Sequence, residues 1–142
     1  MKGLKCRVWD TKKMQMFPVT SVSFGDDGSA LTVVVEPASK GKFYNGLVDG
    51  ESCVLMLFTG LKDKNKKEVY EGDIIDFWYE EMFFSGTVMG VVEWDEECAG
   101  FRIDVPTKGV SVLLARLDIE YSLLEVQGNE YENPGLMDWI EE

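Results

Sequence analysis

The chain has 142 residues, 14 basic and 26 acidic side chains, a formal net charge of −12, three cysteines and no histidine. Its length suits one compact domain or a domain with a small appendage, and its 45% apolar content is typical of a globular protein. The missing histidine excludes Ser-His-Asp and Cys-His nucleophiles, histidine proton shuttles and histidine-based zinc sites. Carboxylates are the abundant catalytic groups that remain.

Short runs of β-branched and aromatic residues, separated by Gly, Asp and Asn, predict a mainly β fold with short antiparallel strands. In the first part of the chain, Asp27-Gly28 supplies the positive φ that a tight turn between two strands requires. A loop is predicted over residues 37–46. The strands predicted in this part cover residues 5–9, 14–19, 22–24, 31–35 and 51–59.

The second part of the chain alternates strands and polar turns more closely. The strands predicted here cover residues 69–70, 74–79, 87–94, 101–105 and 122–126, and residues 110–117 fit either a strand or helical turns. This spacing predicts a small, partly closed barrel across 58–105. The run from Gly72 to Phe77, followed by Gly86-Thr87-Val88, resembles the first strands of SH3-like barrels.

The chain ends in a predicted short helix. Asn133 suits its N-cap and Pro134 its first helical position. We expect this helix to dock on the sheet through Leu136 and Trp139. The domain prediction is one compact unit, in which an N-terminal β segment, residues 1–57, packs on the barrel-like region and C-terminal helix, residues 58–142.

The cysteines Cys6, Cys53 and Cys98 form no Cys-x-x-Cys pair, which favours thiols in a reducing compartment. We expect all three to be small buried hydrophobes. The longest unbroken apolar run, residues 53–58, is far shorter than the roughly 20 residues of a membrane-spanning helix. We therefore expect a protein of the cytoplasm with no membrane partner.

Charge is divided unevenly along the chain. Residues 1–67 carry 11 Lys and Arg against 7 Asp and Glu, a net of +4, whereas residues 68–142 carry 3 against 19, a net of −16. Such a chain can attract copies of itself or a basic partner. Because the acidic half repels phosphates, direct binding along a nucleic-acid backbone is unfavourable. A merely lopsided solubility surface is the alternative.

Two acidic clusters are the remaining candidates for catalysis or for Mg²⁺ or Ca²⁺ binding. They contain Glu71, Asp73, Asp76, Glu93, Asp95, Glu96 and Glu97. Their spacing does not match an EF-hand, and the glycines form neither a Walker loop nor a dinucleotide-binding motif. We therefore predict no catalytic residue, no metal site and no cofactor.

A candidate interaction surface combines an aromatic, acidic stretch with a lysine-rich turn. Aromatic side chains are enriched in protein interfaces, although burial in the chain's own core is the alternative. For the lysine turn the alternative is a solvated loop. The candidate residues are Trp78, Tyr79, Phe83, Phe84, Lys62, Lys64, Lys66 and Lys67.

Three segments of the chain resemble the YopX family of phage and prophage proteins. They run from Leu4 to Met14, from Phe58 to Ile75 and from Glu125 to Pro134, so the resemblance spans nearly the whole chain. It implies a mainly β protein encoded by phages or prophages of low-GC Gram-positive bacteria and working in the host cytoplasm. The family's biochemical role is uncharacterised, so the resemblance implies no catalytic residue.

The chain departs from the family pattern at two positions. Lys66 replaces the usual glycine of the central turn, so a positive φ there costs about 1 kcal/mol. Gly135 replaces the usual acidic residue after Asn-Pro, which weakens the last helix by roughly 1 kcal/mol.

The function predicted from these observations is that of a phage or prophage accessory protein, a β-rich binding or assembly module without enzymatic activity. Its predicted partners are copies of itself, forming a homo-oligomer, and a host or phage protein. One alternative is a modulator of nucleic-acid machinery, acting through the basic N-terminal half or through acidic mimicry of DNA. The other alternative is an enzyme that uses carboxylates and a divalent metal ion.

Overall fold

The computed structural model describes residues 5–28, 30–35, 43–45 and 53–141. The predicted mainly β fold is confirmed, since the strands form two antiparallel sheets and a short helix follows near the C-terminus. The chain divides into two compact units, Met1–Phe58 and Thr59–Glu142. The predicted domain organisation, with residues 1–57 packed on 58–142, stays a prediction.

The first unit is built around a central strand that is paired on both sides. Its strands are β1 (Cys6–Asp10), β2 (Gln15–Phe24), β3 (Ala30–Val35), β4 (Phe43–Asn45) and the first part of β5 (Cys53–Lys62). Their order in the sheet is β4-β3-β2-β1-β5. Val8 of β1 and Cys53 of β5 are fully buried, and Phe17 and Leu55 pack against them. The turn from β1 to β2 is held by Asp10, whose carboxylate accepts the backbone N–H groups of residues 12 and 13.

Two expectations for this unit were wrong. The strand predicted to end near Pro18 continues through it, since Pro18 is paired with Arg7 of β1 and the fixed φ of proline is compatible with extended backbone. The predicted loop 37–46 contains β4, whose three residues pair with β3. Residues 37–42 and 46 lie outside the described part of the chain, as do residues 51 and 52 of the predicted strand 51–59.

The second unit contains a five-stranded antiparallel sheet, one further short strand and two helices. Its strands are β6 (Glu68–Tyr70), β7 (Asp73–Glu81), β8 (Phe84–Asp95), β9 (Gly100–Val105), β10 (Val110–Leu113) and β11 (Glu125–Asn129), and its helices are α1 (Ile119–Ser122) and α2 (Pro134–Glu141). The sheet has the order β10-β9-β8-β7-β11, and β6 pairs with β5. Short 3-10 turns, Pro106–Lys108 and Leu114–Arg116, flank β10.

One face of the five-stranded sheet, which we call the inner face, carries the main apolar core. Its fully or nearly fully buried residues are Val69, Ile75, Phe77, Val88, Val92, Ile103, Val105, Leu114 and Leu124. Gly90 lies within this sheet, where a Cβ atom would stand 2.5 Å from both the Asp104 carbonyl oxygen and Ile103 Cγ2. The sequence position is therefore restricted to glycine by close packing between β8 and β9.

The C-terminal helix α2 covers only one end of the opposite face, which we call the outer face. It begins at Pro134 as predicted, and its Leu136, Met137 and Ile140 pack against Ile74 and Val91. The expectation that Trp139 docks was wrong, since this side chain is 73% exposed. In an α-helix Trp139 lies about 100° of arc away from the centre of the docked stripe.

Two further boundaries differ from the prediction. The last strand begins at Glu125 rather than at 122, because Asp118 caps the short helix α1 by accepting the backbone N–H groups of Glu120 and Tyr121. The ambiguous segment 110–117 contains both a strand and a 3-10 turn. No pairing joins the edge strands β10 and β11 among the described residues, so a closed barrel is not detected. None of the described helices has the length and apolarity to span a membrane.

Candidate interaction surface

The hairpin of β7 and β8 ends in an apolar tip. Its last cross-strand pair is Glu81 with Phe84, so Met82 and Phe83 form the turn between the strands. Met82 is 87% exposed and Phe83 is 95% exposed. Two large apolar side chains held in water at the end of a regular hairpin have no packing role in the chain's own core. The aromatic, acidic stretch of the sequence contains both residues, but only Phe83 was among the predicted interaction residues, and Met82 joins it here through its exposure.

Strand alternation separates the four aromatic candidates. Tyr79 and Phe84 lie on the inner face and pack, half-buried, against the main core, so core burial is the better description of these two. Trp78 is half-buried and belongs to the outer face, where it pairs across the sheet with Thr87. Phe83 belongs to the exposed tip. Of these four candidates, the structure therefore leaves Trp78 and Phe83 available to a partner.

Hydrogen bonds order the outer face near the tip. Trp78 Nε1 and the Tyr121 hydroxyl both donate to Glu80 Oε1, at 2.7 and 2.8 Å. These two hydrogen bonds lower the pKa of Glu80 below its ordinary value, with that from Trp78 as the larger contribution. The hydrogen bond to Glu80 in turn raises the pKa of the Tyr121 hydroxyl. Glu80 therefore presents a negative charge in a defined position beside the tip.

The inner side of the tip is held by Lys108. Its Nζ lies 3.2 Å from the centroid of the Phe84 ring and 3.9 Å from Glu81 Oε1. The ammonium group is thus attracted both by the negative face of the ring and by the carboxylate. These contacts fix the base of the turn while Met82 and Phe83 project beyond it.

The outer face is uncovered between the end of α2 and the hairpin tip. Its residues there are Trp78 and Glu80 of β7, which pair with Thr87 and Ser85 of β8, whereas Met89, the partner of Asp76, packs in the cluster with α2. A shallow groove of about 130 Å³ crosses this face, and Lys64, Trp78 and Leu123 are among its lining residues. Leu123 is 57% exposed. Leu123 also has a φ of 53°, which ends α1 in the left-handed conformation and turns the chain into β11.

Asp76 is the carboxylate at the centre of this face. Burial raises the pKa of Asp76 above its ordinary value, and the charge of Glu125 acts in the same direction. A hydrogen bond of 3.0 Å from Gln127 Nε2 to Asp76 Oδ2 opposes these effects. The ionised form of Asp76 is therefore less favourable here than in water.

The candidate lysines belong to the turn between β5 and β6, at the lysine end of the groove. Lys64 Nζ lies 2.8 Å from Glu125 Oε2, which raises the pKa of Lys64. Lys62, Lys66 and Lys67 are exposed. Lys66 has a φ of 65°, so the family's glycine is replaced at the one turn position that requires the left-handed conformation.

This placement changes the meaning of the charge division. Counted by the compact units, residues 1–58 carry 7 Lys and Arg against 6 Asp and Glu, a net of +1, and residues 59–142 carry 7 against 20, a net of −13. The four lysines that gave the N-terminal half its basic excess belong to the second unit. The positive charge is thus a local patch on the acidic unit.

Asp63 organises the lysine turn and was missed as a structural residue. It is 5% exposed, and Oδ1 accepts the backbone N–H groups of Asn65 and Lys67 at 2.8 and 2.9 Å. Oδ2 accepts the N–H of Val126 on β11 at 3.0 Å. Burial acts to raise the pKa of Asp63, but the backbone hydrogen bonds outweigh it and hold the pKa below its ordinary value.

The C-terminal signature has a similar structural role. Asn129 Oδ1 accepts the backbone N–H groups of Tyr131 and Glu132, and the Asn129 N–H donates to Asn133 Oδ1. Gly128 makes room for this arrangement, because a Cβ atom there would stand 2.4 Å from Asn133 Oδ1. The central and C-terminal family segments meet where β11 pairs with β7 and where Glu130 N–H donates to the Gly72 carbonyl. These signature residues therefore have a structural role, since they join the central and C-terminal segments.

The acidic and cysteine candidates do not assemble into a metal site in the part of the chain that is described. Burial raises the pKa of Glu93, and the charges of Asp104, Asp95 and Glu130 add to this effect. Cys6 and Cys53 are buried as expected, whereas Cys98 is exposed, so the expectation of three buried cysteines was wrong for Cys98. Cys98 lies in the turn between β8 and β9, where no core layer covers it.

The fold is that of a mainly β protein with two antiparallel sheets and a short C-terminal helix. The chain belongs to the YopX family, since the family model described as YopX protein matches residues 5–138. The resemblance noted in the sequence is therefore confirmed.

Two solved structures are similar to the chain. The crystal structure of protein EF1440 from Enterococcus faecalis has 25% sequence identity and a TM-score of 0.63, with 96% of this chain and 99% of that chain covered. The X-ray structure of protein yopX from Bacillus subtilis has 20% identity and a TM-score of 0.61, with 93% and 96% covered, and at this identity the likeness shows the fold alone. The comparison with curated proteins gave no match.

Proposed function

We propose that this protein is a binding or assembly module that self-associates through its second unit. The observation that carries the proposal is the hairpin tip, where Met82 and Phe83 are 87% and 95% exposed on a rigid pair of strands. Exposed apolar side chains of this size, rimmed by polar residues, mark interaction sites. Methionine and aromatic residues are also the types enriched in interfaces.

The surroundings of the tip support the same role. The outer face continues from the tip as a strip of the sheet that α2 leaves uncovered, and it ends at the lysine turn. A preformed flat strip requires little reorganisation on binding, which favours association. Trp78 and Tyr121, both hydrogen-bonded to Glu80, add aromatic surface without loss of side-chain freedom on binding.

The wider setting is part of the proposal. We propose an accessory protein of phages or prophages that works in the host cytoplasm, without enzymatic activity, and that also meets a host or phage protein. The SH3-like, partly closed barrel belongs to the proposal too, and it is supported by Val69 of β6 and Leu61 of β5, which pack in the main core of the five-stranded sheet. Enzymatic use of a divalent ion is tested by thermal unfolding with Mg²⁺ and Ca²⁺, where we expect no shift; an increase in Tm would contradict this part.

Light scattering after size-exclusion chromatography, at low and high salt, tests self-association. We expect a mass above that of one chain in at least one condition for the natural protein. The double variant M82S/F83S removes the exposed apolar tip without touching the core, so it should elute as a monomer with unchanged Tm. The matched control W139S removes another exposed apolar side chain and should associate like the natural protein.

A natural protein that is monomeric at both salt concentrations would overturn the proposal. If M82S/F83S still associates, the contact lies elsewhere on the molecule, and the exposed hairpin tip no longer supports the proposal.

A further inference from the structure

We propose that two copies of this chain pair face to face through their outer faces, with the hairpin tip of each copy seated in the groove beside the lysine turn of the other. This inference rests on the proposed self-association and names the surfaces that form it. The occupant of the uncovered face is thus a second copy of the chain.

The shape of the outer face suits such a pairing. From Asp76 to Met82 the hairpin extends for six residues, or roughly 20 Å at about 3.3 Å per residue. The cluster of α2 with Ile74 and Val91 reaches Met89, the cross-strand partner of Asp76, and leaves the strip from Trp78 to the tip uncovered. Two such strips laid antiparallel bring each tip to the level of Asp76 and Trp78 on the partner.

Charge decides the direction of the pairing. The tip end carries Glu80, Glu81 and Lys108, a net of −1. The opposite end carries the segment 62–67, with four lysines and Asp63, and the groove carboxylates of Asp76 and Glu125, so its net charge is +1. An antiparallel arrangement places the acids of one copy beside the lysines of the other at both ends. A parallel arrangement would place acids on acids and lysines on lysines.

The overall charge makes this matching necessary. Each chain has a net charge of −12, which opposes the approach of two copies in most orientations. The lysine turn is the patch on the second unit where a negative tip finds attraction. Lys64 is half of an ion pair with Glu125, so its ammonium is already oriented at the groove.

The groove also accepts an apolar side chain. Its volume is about 130 Å³; Trp78 and Leu123 supply apolar walls, and Lys64, Asp76 and Glu125 supply charged ones. An enclosed apolar cavity of about 150 Å³ accepts benzene, so this smaller, open groove has room for part of the Phe83 ring against its apolar walls. Because the arrangement has a two-fold axis, both tip-and-groove contacts form at once and the assembly closes as a dimer.

A charge-exchange experiment tests this arrangement. E80K/E81K reverses the tip and also removes the hydrogen bonds of Trp78 and Tyr121 to Glu80 and the ion pair of Lys108 with Glu81. K64E/K66E reverses the lysine end and removes the surface ion pair with Glu125, worth under about 1 kcal/mol. In a dimer of either variant, both tip-and-groove contacts would bring charges of the same sign together. Each variant alone should therefore be monomeric in light scattering. In an equimolar mixture both contacts unite opposite charges, so a heterodimer should form.

The matched control is E96K/E97K, which makes the same charge change at the exposed turn between β8 and β9, away from the tip. We expect it to dimerise like the natural protein. Circular dichroism and Tm of each variant verify folding, and the heterodimer itself requires both partners to be folded.

The outcomes separate this inference from the proposal on which it rests. A mixture that stays monomeric, with both variants folded, or variants that dimerise unchanged, would overturn the face-to-face pairing while self-association stands. A natural protein that is monomeric under all conditions would overturn the self-association as well.

Discussion

The two units of this chain differ in charge and in core. The first has a net charge of +1 and the second has −13. Within the described residues, the first unit's apolar cluster contains two fully buried residues, Val8 and Cys53, whereas the main cluster of the second contains nine. The second unit therefore has apolar residues enough for a core and still exposes an apolar tip at Met82 and Phe83, which is why the proposed contact is placed there.

The comparison extends to how turns are made. In the first unit Asp10 holds one turn through backbone N–H groups of the adjacent residues. In the second unit Asp63 holds its own turn and, in addition, a strand that lies 63 residues further along the chain. Asp63 of the second unit thus connects segments that are distant in sequence. Replacing it should therefore lower the free energy of unfolding more than replacing a residue that holds only its own turn.

The largest effect is expected for Asp63→Ala. The change leaves the backbone N–H groups of Asn65, Lys67 and Val126 without their acceptor, which should lower the free energy of unfolding by roughly 3 kcal/mol in urea denaturation. The control Asp26→Ala, at an exposed turn of the first unit, should change it by less than about 0.5 kcal/mol.

The effect of Asp63→Ala should also depend on pH. Because the folded pKa of Asp63 lies below the ordinary value of 3.8, its contribution is fully present above that value and is lost as the pH falls through the lowered folded pKa. The difference in the free energy of unfolding between the natural protein and the variant should therefore become smaller only in strong acid. A difference that narrows between pH 7 and 5 would contradict the assigned role.

Gly90→Ala should lower stability by about 2 kcal/mol, because the new Cβ overlaps the backbone of Asp104 and the side chain of Ile103. Gly100→Ala is the matched control, since its Cβ would make only ordinary contacts, the nearest at 3.5 Å. Thermal or chemical unfolding of the pair separates close packing from a general loss of glycine flexibility. Equal effects at both positions would count against the packing argument.

Lys66→Gly should stabilise the protein by about 1 kcal/mol, because glycine adopts the φ of 65° without strain. The control Lys67→Gly removes the same charge at a position without positive φ, and it should be neutral or slightly destabilising. Chemical denaturation of both variants measures the difference. An equal gain in both would assign the effect to charge instead.

The smallest effect is expected for Asp76→Asn. The raised pKa means that the folded state favours the protonated carboxyl of Asp76. The stability that this protonated form provides is present at low pH and is lost as the pH rises through the raised pKa. The neutral amide should therefore raise Tm slightly at pH 7 and have no advantage at pH 3. Glu96→Gln, which removes an exposed charge away from this face, is the control.

Local patterns in the sequence predicted elements whose evidence lies within a few residues. The start of α2 at Pro134 and the turn at Asp27-Gly28 are examples. Patterns failed where a neighbour in space decides the outcome. Strand β2 continues through Pro18 because of its position beside β1, and Trp139 is exposed because the docked stripe of α2 is set by Ile74 and Val91.

The candidate site shows the same division. The aromatic composition pointed to the segment 78–84, but only strand register shows that Tyr79 and Phe84 belong to the core while Trp78 and Phe83 remain available. Asp63 reads as one more polar turn residue until its contact with Val126 is seen. Charge counts along the chain likewise assigned the lysines to an N-terminal half, whereas the compact units place them on the acidic one.

The sequence by itself determined the mainly β class, the family, the turn chemistry and the excess of acidic residues, because each depends on residue type and short-range spacing. Only the tertiary structure decided which face of β7 and β8 is covered, which aromatic residues reach water and where the lysine turn lies relative to the hairpin tip. Those features depend on pairing between strands far apart in the chain, and residue spacing along the chain does not carry that information.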